Sequence, residues 1–135
     1  MQHPPGEYLA IHKGAACMIS QTVSRYLPVA MLVLSNVFMT FAWYGHLKFR
    51  EQPLYLAIVV SWGIALFEYC LAVPANRIGV AAYSVAQLKT MQEVITLLVF
   101  AVFSVFYLKQ PLGWNHAVGF AFIALGASFI FKDKL

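Results

Sequence analysis

Four apolar blocks run from Leu27 to Leu47, Leu54 to Val73, Val80 to Leu108 and Trp114 to Phe131, and together they take up most of a 135-residue chain. Each is near the roughly 20 residues that a helix needs to cross about 30 Å of hydrocarbon. A transmembrane β-strand would be about half as long and would alternate apolar with polar residues. At 61% hydrophobic and 10% charged, the chain has too little polar surface to cover a soluble core. The sequence therefore predicts an all-α integral membrane protein.

The connections, Lys48 to Pro53, Pro74 to Gly79 and Lys109 to Gly113, are short, and each holds a proline that helps to end a helix. Short loops make sequence neighbours antiparallel, so the expected fold is a four-helix bundle, up-down-up-down, with both termini on one side. Trp43, Tyr44, Tyr55, Tyr83, Tyr107 and Trp114 fall toward the block ends, where interfacial aromatics gather. Lys13, Arg25, Arg77, Lys132 and Lys134 share the side of the termini, against Lys48, Arg50 and Lys109 opposite. The bias points to cytoplasmic termini in a multi-pass cell membrane protein, and it is small enough to permit insertion both ways and an antiparallel dimer. Residues 1–26 carry a His-Pro-Pro-Gly run and only a short apolar stretch, so a disordered tail is expected there, with Met18 offering a second start.

Cys17 and Cys70 have no CxxC spacing and no further partners, and His3, His12, His46 and His116 are scattered over tails and helix ends. Neither a disulfide framework nor a metal site is expected, and no cofactor. The basic residues lie beside the headgroups without forming a dense patch, so nucleic acid is not an expected partner, whereas membrane lipid is. No nucleophile elbow, phosphate loop or metal constellation points to an enzyme.

Against this apolar background the third block holds Gln87, Lys89, Gln92 and Glu93, and the second holds Glu68. Ionisable groups at membrane depth are costly and mark function unless they only pair. Counted inward from the side of the termini at 1.5 Å per residue, Asn36 lies about 12 to 13 Å deep, Glu68 about 9 Å, Lys89 about 13 Å and Glu93 roughly 20 Å. Lys89, Gln92, Glu93 and Thr96 share an arc of about 100° on one helix face, with Tyr83, Gln87 and Thr90 on a ridge beside it. One reading is an ion cluster that holds three helices in register. The other starts from one lysine against two carboxylates: the uncompensated charge favours a protonated carboxyl in lipid, able to exchange its proton for a cation. Glu93 is the expected exchanging group, with a Glu68 to Lys89 pair beside it. Asn36, Gln87, Gln92, Trp62 and Tyr83 are the expected substrate-lining residues; Trp43, Trp62 and Tyr83 offer aromatic faces to an organic cation, or serve as interface anchors.

The segments SNVFMTFAWYGHLK, SWGIALFEYCLAVPANRIG and QLKTMQEVITLLVFAVFSVFYLKQPLGW resemble a family of short four-helix proteins of unknown function. That family is assigned to the drug/metabolite transporter (DMT) superfamily, beside the small multidrug resistance proteins, and the match covers nearly everything after residue 27. FYLKQPLGWNHAVGFAFIALGASFIF is similar to the superfamily's terminal helix. Its Ala117, Ala121, Ala124 and Ser128 fall at helical spacing, and the resemblance implies a dimer seam there; ordinary packing within the chain would use the same residues. The multidrug relatives carry their essential carboxylate in the first helix, yet residues 27–47 here contain no Asp or Glu, so that chemistry does not transfer. The resemblance implies a homodimeric transporter of a small metabolite or organic cation, coupled to protons through a buried carboxylate. The competing expectation is a non-transporting accessory or assembly subunit whose charges pair with a partner protein.

Overall fold

The computed structural model describes residues 5–132, with side chains from residue 10. The elements are α1 (Pro5–Tyr44), a short 3-10 turn (Gly45–Lys48), α2 (Leu54–Gly79), α3 (Val85–Phe106) and α4 (Trp114–Lys132). Among the described residues there are no strands, and all four α-helices are long and apolar enough to cross a membrane. The chain is thus the helical membrane bundle that its four apolar blocks predict. His3 and Lys134 lie outside the described residues.

Three element ends differ from expectation, each for a local reason. Helix α1 does not begin near Leu27 after a disordered tail; the described residues are helical from Pro5 onward. Ala10, Ala15, Ala16, Met18 and Gln21 favour the helix, and no proline interrupts residues 10–27. Helix α2 passes through Pro74 and ends at Gly79, because Ala72 and Ala75, both buried, continue its packed face past the proline. Helix α3 starts at Val85 instead of Val80 because Ser84 and Gln87 form a capping box. The Ser84 hydroxyl accepts from the Gln87 N–H at 3.2 Å, and the Gln87 side chain accepts from the Ser84 N–H at 3.0 Å.

The helices form an open row rather than a closed ring. Extensive contact joins α1 to α2, α1 to α3, and α3 to α4, so α1 stands between α2 and α3 while α4 flanks α3. Ser35 meets Glu68, Phe38 meets Phe67, and Pro28 comes close to Gly79, so α2 runs against α1. Asn36 meets Thr96, Phe41 meets Phe103, and Gly45 meets Tyr107, so α3 runs with α1. The buried apolar residues, Leu32, Ala42, Ala72, Ala75, Leu88 and Phe103, come from α1, α2 and α3. Helix α4 buries none of its residues.

At one end of this core Pro28, Gly79 and Leu88 converge. A Cβ at position 79 would lie 2.6 Å from Leu88 Cδ2 and 3.4 Å from Pro28 Cβ, so any larger residue there displaces at least the end of the Leu88 side chain. At the other end Phe41, Phe103 and Tyr107 pack as an aromatic cluster, and the Lys48 amine sits 4.7 Å from the Tyr107 ring centre.

Candidate functional site: a polar layer around the first helix

The helix ends reset the depths of the charged residues. Counted from Val85, Lys89 lies about 6 Å and Glu93 about 12 Å into α3, nearer the membrane surface than the sequence estimate. Glu68 moves the other way: with α2 continuing to Gly79, it lies roughly 16 Å from that end, near mid-membrane.

The structure also redistributes the charges. Lys89 pairs with Glu93 one turn along its own helix, at 2.6 Å, with the two side chains 69% and 55% exposed on the single chain. The expected Glu68 to Lys89 pair does not form among the described residues. Glu68 turns instead to α1, where the Ser35 hydroxyl donates to its Oε1 at 3.2 Å and lies 3.4 Å from its backbone carbonyl. A helical wheel assigns each residue an angle on its own helix but leaves open which neighbour stands opposite, and α1 stands opposite Glu68.

Next to Ser35, Asn36 serves the other face of α1. Its side-chain amide donates to the Leu32 carbonyl at 2.8 Å, and its Oδ1 accepts from the Thr96 hydroxyl of α3. Thr40 donates to the Asn36 carbonyl at 2.8 Å. Ser35, Asn36 and Thr40 are all buried, and each makes a hydrogen bond, as a low-dielectric interior demands. Two successive residues of α1 therefore link it to a carboxylate on α2 and a hydroxyl on α3. Ser35 and Thr40 were not singled out from the sequence; the signal available was three polar residues within six positions of an apolar span.

A double-mutant cycle on Asn36→Ala and Thr96→Val should return a coupling of about 0.6 to 1.7 kcal/mol, the usual range for interhelical hydrogen bonds in membranes. Unfolding in mixed micelles would measure it, and additive single effects would mean that the bond contributes nothing.

The other expected lining residues separate. Gln87 is buried but committed to the α3 cap, and Gln92 is half-buried between Lys89 and Thr96 in sequence. Tyr83 donates its hydroxyl to the Arg25 carbonyl at 3.0 Å, three residues before Pro28 in α1. Trp62 and Trp43 lie exposed on α2 and α1. On α4, Ala117, Ala121, Ala124 and Ser128 are all exposed, and the Ser128 hydroxyl is turned back onto the Leu125 carbonyl. A shallow groove of about 390 Å³ runs along that helix between Trp114 and Leu125, floored in part by Ala117 and Ala121. Among the described residues no cluster of His, Cys, Asp or Glu could hold a metal ion.

Fold and polar layer together define a small multi-pass membrane protein with ionisable groups inside its spans. Residues 28–131 match the family model DMT_6, described as "Putative member of DMT superfamily (DUF486)", and the chain belongs to that family. No curated protein and no solved structure matches the chain.

Proposed function

We propose that the chain is a small DMT-type transporter that works as a homodimer and couples the movement of a small metabolite or organic cation to protons through Glu68. The observation that carries this reading is the placement of the carboxylates. Glu93 has its charge balanced by Lys89, while Glu68 sits near mid-membrane with the Ser35 hydroxyl as its contact and takes part in no ion pair among the described residues. A serine hydroxyl donates to a carboxylate and accepts from a carboxylic acid, so the Ser35 to Glu68 contact survives both protonation states. Such a group binds a proton or a cation in turn, which is the requirement for exchange. In this reading exchange takes place at Glu68 rather than at the expected Glu93, with Lys89 and Glu93 as an outer pair.

Dimerisation is supported by the open row. Helix α4 buries none of its residues and offers an unfilled groove with small residues along it. Termini on the cytoplasmic side accord with Lys13, Arg25, Arg77 and Lys132 against Lys48, Arg50 and Lys109.

Purified protein in liposomes under an imposed pH gradient, screened against small amines, amino acids and sugars, tests the proposal. Substrate-dependent proton flux is expected. Folded protein silent across the panel, but co-purifying with a larger complex from its host membrane, would replace this reading with the accessory-subunit one.

A further inference from the structure

Helix α1 is 40 residues long, about 60 Å, and therefore about twice the thickness of a hydrocarbon core. The bundle itself fixes where the surplus begins. Pro28 packs at the level of Gly79, the last residue of α2, and Leu88, in the first turn of α3, so the turns of α1 before Pro28 project past the ends of both helices, meeting only the α2–α3 connection, where the Tyr83 hydroxyl bonds the Arg25 carbonyl.

The projecting segment is two-faced. Ile11, Ala15, Met18, Ile19, Thr22, Val23 and Tyr26 fall within an arc of about 140°, with His12 at its margin. Lys13, Cys17, Ser20, Gln21 and Ser24 lie on the opposite side, and Arg25 on the flank. The large apolar members of the stripe are exposed, Met18 to 71% and Ile19 to 64%. Thr22, the polar member, has its hydroxyl bonded to the Met18 carbonyl at 2.9 Å, which makes it tolerable on an apolar surface.

From this geometry we propose that residues 10–27 form a membrane-surface helix, its apolar stripe seated at the headgroup and acyl boundary beside the bundle. Three observations select lipid as the occupant. The segment is continuous with a membrane span, so the bilayer surface is held next to it at high effective concentration. Residues 10–27 contain Lys13 and Arg25 and no Asp or Glu, a charge that suits phosphate headgroups and opposes pairing with a second, like-charged copy. Pro28 leaves the Ser24 carbonyl without its helical N–H, which supplies a point where α1 can incline toward the surface.

The test uses full-length protein with Cys17→Ser and Cys70→Ser, carrying one new cysteine at a time: Ile11→Cys, Met18→Cys, Ile19→Cys and Val23→Cys on the stripe, and Lys13→Cys, Ser20→Cys and Ser24→Cys opposite it. Each variant is labelled with an environment-sensitive fluorophore in nanodiscs of zwitterionic and anionic phospholipid, at one copy per disc. Stripe positions should show blue-shifted emission and several-fold lower quenching by aqueous iodide than the opposite positions. Uniform quenching at all seven would overturn the proposal. Protection that appears only with two copies per disc would also overturn it, in favour of a contact between copies.

Discussion

Glu68→Gln is expected to reduce pH-gradient-driven flux to the leak of protein-free vesicles while the protein still folds. The amide preserves the shape of the side chain and can still accept from Ser35, so packing between α1 and α2 is retained. What it loses is the titratable carboxyl on which the proposed exchange of a proton for a cation depends. Glu93→Gln removes a charge already balanced by Lys89 and should retain pH-dependent flux at reduced stability. Lys89, about 6 Å from the start of α3, can then extend its amine to the headgroups. The two variants discriminate between the carboxylates. Coupling kept in Glu68→Gln and lost in Glu93→Gln would return the exchanging role to α3.

The largest structural effect is expected at Gly79. Three helices meet there, and the contacts a Cβ would make at 2.6 Å and 3.4 Å are with Leu88 and Pro28, both buried. Gly79→Ala forces the end of the Leu88 side chain to move. Gly79→Leu must separate α2 from α1 and α3, a cost of about 1 to 3 kcal/mol or more by the usual penalty for overpacking. Unfolding in mixed micelles, followed by far-ultraviolet circular dichroism, should show Gly79→Leu well below Gly79→Ala and the parent protein. Adding Leu88→Ala should recover part of the loss, because the two residues share one space. Equal stability of parent and Gly79→Leu would show that the three helices are not packed as described.

The sequence reveals the number and nature of the helices because membrane thickness and backbone satisfaction leave few alternatives. The start of α2 at Leu54 and the range of α4 follow directly from the apolar pattern. Proline misleads at position 74, where helix packing outweighs one lost backbone hydrogen bond. The start of α3 is readable in the Ser84 to Gln87 spacing, but Gln87 fits a polar ridge equally well, and the spacing alone does not choose between them. The polar layer was only half legible. That Asn36, Glu68, Lys89, Glu93 and Thr96 are unusual in lipid is plain from composition, and Lys89 and Glu93 share a helix face as their spacing requires. That Glu68 meets Ser35, and Asn36 meets Thr96, depends on how each helix is rotated toward its neighbour. No single-helix pattern contains that information.

The open row also bears on how the chain is made. Helices leave the ribosome in order, and α1 and α2 can pair as soon as both are in the bilayer, closing the Ser35 to Glu68 contact first. Helix α3 must then reach the opposite side of α1, where Asn36 and Phe41 are already presented. By the time α4 is released, every described contact of the polar layer is complete without it. Helix α4 then packs against α3 while burying none of its own residues, so most of its surface stays open to recognise whatever assembles next.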